Sequence, residues 1–385
     1  MGFSQIGIAG VDLEAAEAGL KAWLDAGFHG SMHYMAAHGM RRARPAELRP
    51  GTLSVISARI DYLPASSAHD WIARETAALA DPTRAVVSVY ARGRDYHKVL
   101  RRRLAALAAR LEHEIGPLGH RVYADSAPVL EVELATRAAI GWRGKHTLLL
   151  AREGGSMSFL GEIYVDLELP PDVPTNGHCG RCSACIDACP TGAIVAPYRL
   201  DARRCIAYLT IEHPGPIPRE LRPAIGNRVA GCDDCQLVCP WNKFARRSRL
   251  PDFDEREPFG AARLAQLWQW DAPEWERRTE GSALRRIGHE RWRRNLAVAI
   301  GNALRSRDDP ALRSLLAGAR ADAGALVREH IDWALEAPVR ERHGGPAQSA
   351  ASAPGSAPDD RSSGGIRVAR LSPPPRLQAC TDEPC

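Results

Sequence analysis

The first 170 or so residues contain short β-type runs of hydrophobic residues separated by helical patterns, and this arrangement predicts a mixed α/β region. The β-type runs lie at residues 6–10, 53–60, 85–90, 121–124, 146–151 and 161–169. The clearest helix is expected to begin at Asp95. Leucines recur at steps of four and three from Leu100 to Leu111 and form one apolar stripe on it.

The rest of the chain divides by composition. The proline-rich segment 169–174 predicts the end of the first domain, and most of the cysteines follow it. From about residue 258 the pattern is helical, and after Leu335 glycine, alanine, serine and proline dominate. We therefore expect an α+β multidomain protein with an α/β domain at 1–172, a cysteine-bearing domain at 173–250, a helical-repeat domain at 251–337 and a disordered tail at 338–385.

Composition and charge narrow the class of protein. Of the 385 residues, 45% are hydrophobic and 25% charged, which is typical of a soluble globular protein. The net charge of +5 permits nucleic-acid binding without arguing for it. The chain lacks an export signal at its start and any apolar run long enough to span a membrane. We expect a cytoplasmic protein with no membrane association.

The cysteines carry the strongest chemical signal. Cys179, Cys182, Cys185 and Cys189 follow the spacing C-x2-C-x2-C-x3-C and precede Pro190. In this motif three thiolates bind one [4Fe–4S] cluster and the fourth binds another.

The second array shares the last two intervals of the first but lacks a first cysteine, which Cys205 is the remaining candidate to supply. The crossover then assigns four ligands to each cluster. Cluster one takes Cys179, Cys182, Cys185 and Cys239, and cluster two takes Cys189, Cys205, Cys232 and Cys235. The alternative is a pair of zinc sites, since C-x2-C pairs also bind zinc. Cys380 and Cys385 are not expected to be ligands.

Two adjacent clusters form an electron-transfer path, so a further redox centre is expected in the first domain. The chain lacks a G-x-G-x-x-G motif after a strand, and a Rossmann nucleotide site therefore has no support. Asp125 follows a predicted strand, and ligands gather at the carboxyl ends of strands in α/β sheets. The residues alone leave a second interpretation open, in which Asp125 is the N-cap of a helix starting near Ser126 and Pro128.

Five blocks of sequence, in this order, resemble the epoxyqueuosine reductase family. They read DSAPVLE (125–131), GWRGKHTLLL (141–150), SFLGEIYVDLELP (158–170), the cysteine block 179–218 and GNRVAGCDDCQLVCPWN (226–242). The resemblance covers residues 1 to about 335. It implies reduction of the epoxide of epoxyqueuosine at the tRNA wobble position to queuosine, the last step of that synthesis, using cobalamin and two [4Fe–4S] clusters. The implied parts are a cobalamin-binding α/β domain, a ferredoxin-like cluster domain and a C-terminal HEAT-like helical domain.

The resemblance also implies roles for individual residues. Asp125 corresponds to the proton donor, and it must be protonated near neutral pH, which we expect burial to achieve by raising its pKa. We expect cob(II)alamin in the resting state. Residues 95–100 begin like the D-x-H-x-x-G pattern of proteins in which the histidine is the lower ligand of cobalt. His97 is not expected to bind cobalt, because Leu100 stands where that pattern requires glycine. The expected cofactor contacts are Tyr90, Asp95, Tyr96, His97, Asp125, Ser126, Gly141, Trp142, Lys145, Asp233 and Asp234.

For some of these residues, interpretations without a role in cofactor binding also remain open. His97 can be a surface histidine at a helix start, and Asp233 and Asp234 can be solvated turn residues. The expected partners are tRNA carrying epoxyqueuosine and an external low-potential electron donor, and the protein is expected to be a monomer. The basic runs 101–103, 246–249 and 291–294 are candidates for phosphate contacts, or else solvated faces. The rival functions are a reductive dehalogenase, an electron-transfer subunit, and a tRNA-binding module with structural clusters.

Overall fold

The computed structural model describes residues 1–338, which fall within one compact unit. The prediction of a disordered tail, and the one that Cys380 and Cys385 are not ligands, fall almost entirely on residues outside this part. Within it, no helix combines the length and the hydropathy needed to cross a membrane.

Helices and short strands alternate along the described chain. The strands are β1 (Gln5–Ala9), β2 (Ser54–Asp61), β3 (Val86–Val87), β4 (His120–Tyr123), β5 (Trp142–Arg143), β6 (Leu149–Leu150), β7 (Ser158–Val165), β8 (Ile194–Ala196), β9 (Arg199–Leu200) and β10 (Arg228–Ala230). The helices are α1 (Glu14–Asp25), α2 (Pro45–Leu48), α3 (Trp71–Ala80), α4 (Tyr96–Ile115), α5 (Glu131–Arg137), α6 (Ala184–Asp187), α7 (Ile206–Ile211), α8 (Arg222–Ile225), α9 (Asp234–Leu237), α10 (Leu264–Trp268), α11 (Ala272–Thr279), α12 (His289–Ser306), α13 (Pro310–Ala319) and α14 (Ala325–Leu335).

The central sheet has the order β1-β2-β7-β4, and every neighbouring pair in it is antiparallel. Its strand β2 is buried along its whole length because helices cover both faces of the sheet. On one face Ile56 and Ile60 join the core that contains Leu100 and Leu104 of α4. On the other face Val55 joins a second core, which contains residues of α5. The sheet therefore places α4 and α5 on opposite sides of the same strands.

Most of the predicted elements near the sheet are confirmed. Runs 6–10, 53–60 and 121–124 are strands, and α4 begins directly after Asp95, whose side chain accepts a hydrogen bond from the amide of His97. Runs 85–90 and 146–151 were predicted too long, since each contains only a two-residue strand. The last predicted strand lies earlier than expected, at Ser158–Val165.

The antiparallel pairing of the central sheet removes the reason given for expecting ligands near Asp125. The expectation that ligands gather near Asp125 rested on the behaviour of parallel α/β sheets, which the central sheet is not. Asp125 does follow a strand, β4, but its surroundings are set by the helix packed on the sheet and not by strand polarity.

The cysteine-bearing region joins the sheet domain through a small parallel pairing. β10 pairs with β3, and this places the segment after β10, which carries Cys232, beside the turn that carries Tyr90. α12 lies at the centre of the C-terminal helices and contributes Leu296 and Ile300 to a core that also contains Ile206 and Val229. The boundaries at 1–172, 173–250 and 251–337 stay a prediction.

The basic run 291–294 serves the fold, which corrects its assignment as a tRNA contact. Arg294 is fully buried and donates hydrogen bonds to the carbonyl oxygens of Leu209, His213 and Gly215, each at 2.7 Å. Arg293 lies 3.8 Å from the ring centre of Trp268. Burial lowers the pKa of Arg294 to about 9, since the interior disfavours its charge. Arg294 thus connects α12 to the cysteine-bearing region, and Arg293 connects it to α10.

Replacing Arg294 with methionine should lower the free energy of unfolding by about 2–4 kcal/mol, because three buried carbonyl groups lose their donors. Denaturant unfolding under anaerobic conditions measures the change. Arg307→Met is the control, since the Arg307 side chain is 71% exposed and should change stability by less than about 0.5 kcal/mol. Equal effects of both substitutions would contradict the assignment.

Candidate active site

A cavity of about 400 Å³, open on one side, lies between the sheet domain and the cysteine-bearing region. Aromatic side chains form much of its wall. Tyr96 stacks on Phe159 with ring centres 4.2 Å apart, and Tyr62 lies 4.7 Å from Phe159. The other lining residues that matter for chemistry are Asp125, Glu131, Asp233, Asp234, Cys189, Cys205, Cys232 and Cys235. Acidic groups and thiols thus share one largely apolar chamber.

Asp125 lies on the cavity wall just after β4. Its φ of +47° falls in the left-handed region, which aspartate tolerates better than most residues. The hydroxyl of Tyr96 donates to its carboxylate, and Nε2 of His97 lies 2.6 Å from the same oxygen, Oδ2. Helix α5 begins at Glu131, so the interpretation of Asp125 as a helix N-cap is wrong.

His97 lies between two carboxylates. Its Nδ1 is 2.8 Å from Oδ1 of Asp95, and its Nε2 contacts Asp125. Its side chain is only 4% exposed, so the interpretation as a surface histidine is wrong. Burial alone would lower the pKa of His97, but Asp125 and Asp95 together raise it above the ordinary value. The structure thus forms a row Asp95–His97–Asp125 that ends in the cavity.

The expected elevation of the Asp125 pKa is not what the structure shows. Burial does push that pKa upward, but the contacts from His97 and Tyr96 outweigh it and hold the pKa below the ordinary aspartate value. The carboxyl group that stays protonated near neutral pH belongs to Glu131, whose pKa burial and the charge of Asp125 raise to about 8. Oε1 of Glu131 accepts a hydrogen bond from the backbone N–H of Asp125 at 2.5 Å.

Sequence reasoning missed Glu131, although it ends the DSAPVLE block. Its spacing of six residues from Asp125 was the available signal. It also missed Phe159, whose contact with Tyr96 depends on how α4 packs on the sheet and has no local signature.

Asp233 and Asp234 line the cavity but their oxygens are occupied by the protein. Asp233 accepts hydrogen bonds from the hydroxyl of Ser88 and from the amide of Val89, the latter at 2.8 Å. Asp234 forms a two-pronged ion pair with Arg228. The interpretation of these aspartates as solvated turn residues is therefore wrong.

Six residues predicted to contact the cofactor do not line this cavity. Asp95 and His97 lie behind Asp125. Ser126 is exposed beside the cavity. Trp142 packs against Trp241, with ring centres 4.8 Å apart, and Nζ of Lys145 donates to the carbonyl oxygens of Gly180 and Cys182.

Gly141 does allow a close backbone approach, but to a different partner. A Cβ atom there would lie 2.1 Å from the carbonyl oxygen of Leu150 in the β5–β6 hairpin. The segment from Gly141 to Lys145 therefore supports the first cysteine loop, which carries Cys179 and Cys182, and the residues of this segment do not reach the cavity.

Eight cysteines form two neighbouring groups. Burial, with added effects from Cys179, Cys185 and Cys182, raises the pKa of Cys239 to about 11, so these four thiols lie together. Burial also raises the pKa of Cys235, with Cys205 and Cys189 contributing. Cys232 adjoins this second group, which lines the cavity, whereas Cys182 of the first group is exposed.

The spread of the thiols bears on the zinc alternative. Among residues 1–338, no three His, Cys, Asp or Glu side chains converge closely enough to hold a single metal ion. A four-iron cluster needs thiolates spread around a larger body, which suits these two groups better than two tetrahedral zinc sites do.

The fold and these cysteines define a redox protein of the iron–sulfur class. Residues 178–242 match the model of a 4Fe-4S double cluster binding domain, and residues 42–126 match the model described as epoxyqueuosine reductase QueG, DUF1730. The epoxyqueuosine reductase of Alicycliphilus denitrificans is 65% identical, over 87% of this chain and 94% of its own length. That of Escherichia coli is 51% identical, over 89% and 88%.

Solved structures give the same result. A crystal structure of epoxyqueuosine reductase with an epoxyqueuosine-modified tRNA-Tyr stem loop has a TM-score of 0.73 and 26% identity, and covers 87% of this chain and 95% of its own. The Bacillus subtilis enzyme, solved with a catalytic aspartate loop swung out of the active site, has a TM-score of 0.73 at 25% identity, over 88% and 96%. The chain belongs to the epoxyqueuosine reductase family. The predicted family, activity and oxidoreductase class are confirmed, and the dehalogenase alternative falls away.

Replacing Asp125 with asparagine should lower the pKa of His97, because the imidazolium loses one of the two charges that stabilise it. The pH dependence of hydrogen–deuterium exchange at the His97 ring, followed by mass spectrometry, measures this pKa. Asp25→Asn on the exposed face of α1 is the control and should leave it unchanged. An unchanged pKa in Asp125→Asn would show that the two side chains are not in contact.

Proposed function

We propose that this chain reduces the epoxide of epoxyqueuosine in the tRNA anticodon to queuosine, with cobalamin in the cavity and two [4Fe–4S] clusters. The observation that carries the proposal is a carboxylate paired to a buried histidine on the wall of an apolar chamber, which is also lined by a group of four cysteines.

The cavity suits a corrin in chemistry and shape. Its aromatic wall offers flat apolar surface, and its open side lets a molecule larger than 400 Å³ extend outward. When bound, cobalamin would supply a low-valent cobalt, a soft reductant that no side chain can imitate. We propose Tyr90, Tyr96, Asp125, Asp233 and Asp234 as the residues that border it.

We propose that cluster one is held by Cys179, Cys182, Cys185 and Cys239, and cluster two by Cys189, Cys205, Cys232 and Cys235. The exposed Cys182 supports entry of electrons from an external low-potential donor at cluster one. The second group lines the cavity, so electrons leave the path beside the reaction. Electron transfer from the donor through cluster one and cluster two to cobalamin needs no further redox group.

The chain's own residues supply a proton. Reduction of an epoxide to an alkene takes two electrons and two protons, and the oxygen leaves as water. His97 and Asp125 together hold one of these protons, which can pass to the leaving oxygen at Asp125 and leave the histidine neutral, and water at the open side of the cavity supplies the other. Tyr96 fixes the same carboxylate oxygen, so the donor points into the cavity.

The substrate and the remaining expectations follow from the family. The stem loop bound to the related structure supports tRNA as the substrate. The exposed Arg101 and Arg102 are better candidates for phosphate contacts than Arg103, which pairs with Asp252 at 2.9 Å. The three-domain layout with HEAT-like helices, the monomeric state and the cytoplasmic location remain proposals.

One experiment tests the function. The protein is reconstituted anaerobically with iron, sulfide and cobalamin, reduced, and given tRNA carrying the epoxide, after which the nucleosides are analysed. Queuosine is the expected product. A preparation that binds tRNA but leaves the epoxide intact would indicate a binding module. One that takes up no corrinoid would indicate an electron-transfer subunit.

Asp125→Asn should reduce turnover by at least about 100-fold while the protein still takes up iron and cobalamin, because the amide cannot pass on the proton from His97. The rate of queuosine formation and the absorbance of the cofactors measure the two properties. Asp25→Asn, remote from the cavity, should keep the wild-type rate. Full activity in Asp125→Asn would refute the assigned role.

Cys239→Ser and Cys189→Ser should each lower the iron content from about eight to about four atoms per chain, since each cysteine belongs to a different cluster. Iron and sulfide analysis measures the content. Cys380→Ser is the control and should retain all the iron. Loss of both clusters from a folded single variant, or of neither, would contradict the assigned ligand sets.

A further inference from the structure

The turn that carries Asp125 is closed by one side chain from the helix that follows. Asp125 has a left-handed backbone, and its N–H points to Oε1 of Glu131 at 2.5 Å. This contact spans six residues and joins the end of β4 to the first residue of α5. Both side chains line the cavity, so the turn between them forms part of its wall.

Few other contacts hold this turn. The carbonyl oxygen of Ala127 receives a 3.4 Å hydrogen bond from Arg42, and a local bond joins the amide of Val129 to the same carbonyl. The left-handed conformation of Asp125 carries a backbone cost that its contacts must offset. The Glu131 carboxyl is therefore the main backbone anchor at the point where the catalytic side chain begins.

A second buried acid lies behind Glu131. Glu162 in β7 is fully buried, and neither of its carboxyl oxygens has a hydrogen-bond partner among the described residues. Burial raises the pKa of Glu162, and the nearby Glu131 raises it further, because two negative charges would share an apolar space.

We propose that Glu131 is a positioning residue, which holds Asp125 over the cavity by accepting its backbone N–H. This inference rests on the proposed function and adds a role that the proton-transfer row Asp95–His97–Asp125 does not contain. Glu131 acts on the reaction through Asp125 alone.

The proposal has a definite pH dependence. Burial and the charge of Asp125 raise the pKa of Glu131 to about 8, although the hydrogen bond from the Asp125 N–H by itself favours the carboxylate. Above that pKa, a carboxylate would face the negative Asp125. The other titratable groups around Glu131 are Tyr96 and His97 on α4, and Glu162 and Tyr164 on β7. Among them His97 loses charge in the alkaline direction, so it cannot compensate for the new carboxylate.

Two substitutions separate the parts of this role. Glu131→Gln keeps a carbonyl acceptor but cannot ionise, whereas Glu131→Leu keeps the approximate volume and removes the acceptor. Glu133→Leu is the matched control, because Glu133 lies two residues further along α5 and forms an ion pair with Arg137 instead of contacting the Asp125 turn.

The first measurement is kinetic and uses the reconstituted full chain with an epoxyqueuosine-containing stem loop. Glu131→Leu should lower kcat by about 10- to 100-fold with KM within about twofold, since the loss lies in the placement of Asp125. Glu131→Gln and Glu133→Leu should stay within about threefold of wild type at pH 7. The wild-type rate should decline more steeply above about pH 8 than the rate of Glu131→Gln, which keeps only the decline caused by loss of the His97 proton.

The second measurement does not depend on activity. Hydrogen–deuterium exchange of the peptide containing the Asp125 amide should be about tenfold faster in Glu131→Leu than in wild type, and unchanged in Glu131→Gln. Iron and cobalamin contents should match wild type in all variants. If Glu131→Leu does not fold, the pH profile of Glu131→Gln still decides the question.

The outcomes distinguish this inference from the proposed function. A wild-type protein that forms no queuosine refutes the proposed function, and the exchange measurement then still tests the contact. If wild type is active and Asp125→Asn is not, normal kcat in Glu131→Leu refutes the positioning role. A Glu131→Gln variant as slow as Glu131→Leu, or one whose rate declines above about pH 8 as steeply as that of wild type, also refutes it.

Discussion

The antiparallel pairing of β2 with β7 is the constraint on which the active site depends. Eight registered residue pairs, from Ser54 with Val165 to Asp61 with Ser158, form the buried middle of the sheet. Because both faces are covered, α4 must pack on one side and α5 on the other. The start of α4 brings His97 to Asp125, and the start of α5 brings Glu131 to the same turn. Two helices on opposite faces thus meet one residue at the edge of the sheet.

Within that frame, two carboxyl groups a few residues apart have opposite ionisation behaviour. Asp125 contacts the imidazole of His97 and the phenol of Tyr96, which favour its charged form, while burial and the charge of Asp125 favour the neutral form of Glu131. In the proposed reaction, the proton for the leaving oxygen therefore comes from the His97–Asp125 pair and not from an isolated aspartic acid. This arrangement holds the proton without requiring a large rise in the Asp125 pKa.

The cysteines fix how the two groups lie relative to each other, and they also supply the ligands proposed for the clusters. Cys239 closes the first group although it lies more than fifty residues from its companions, and Cys189 joins the second group although it lies more than forty residues from Cys232 and Cys235. This exchange of distant members binds the two cysteine segments together, so the groups lie side by side. One group reaches the surface and the other reaches the cavity, so in the proposed reaction electrons would enter at the first group and leave at the second.

The sequence by itself determined the family, and it predicted the two cysteine sets and the role of Asp125, because these depend on residue types at short fixed spacings. It also located α4, whose leucine stripe and Asp95 cap are local signals. Only the tertiary structure decided that the sheet is antiparallel, that Arg294 is buried with a structural role and that Lys145 faces the first cysteine loop instead of the cavity. The protonation of the site was decided there too. A pKa depends on which groups from distant parts of the chain surround it, and spacing along the sequence does not carry that information.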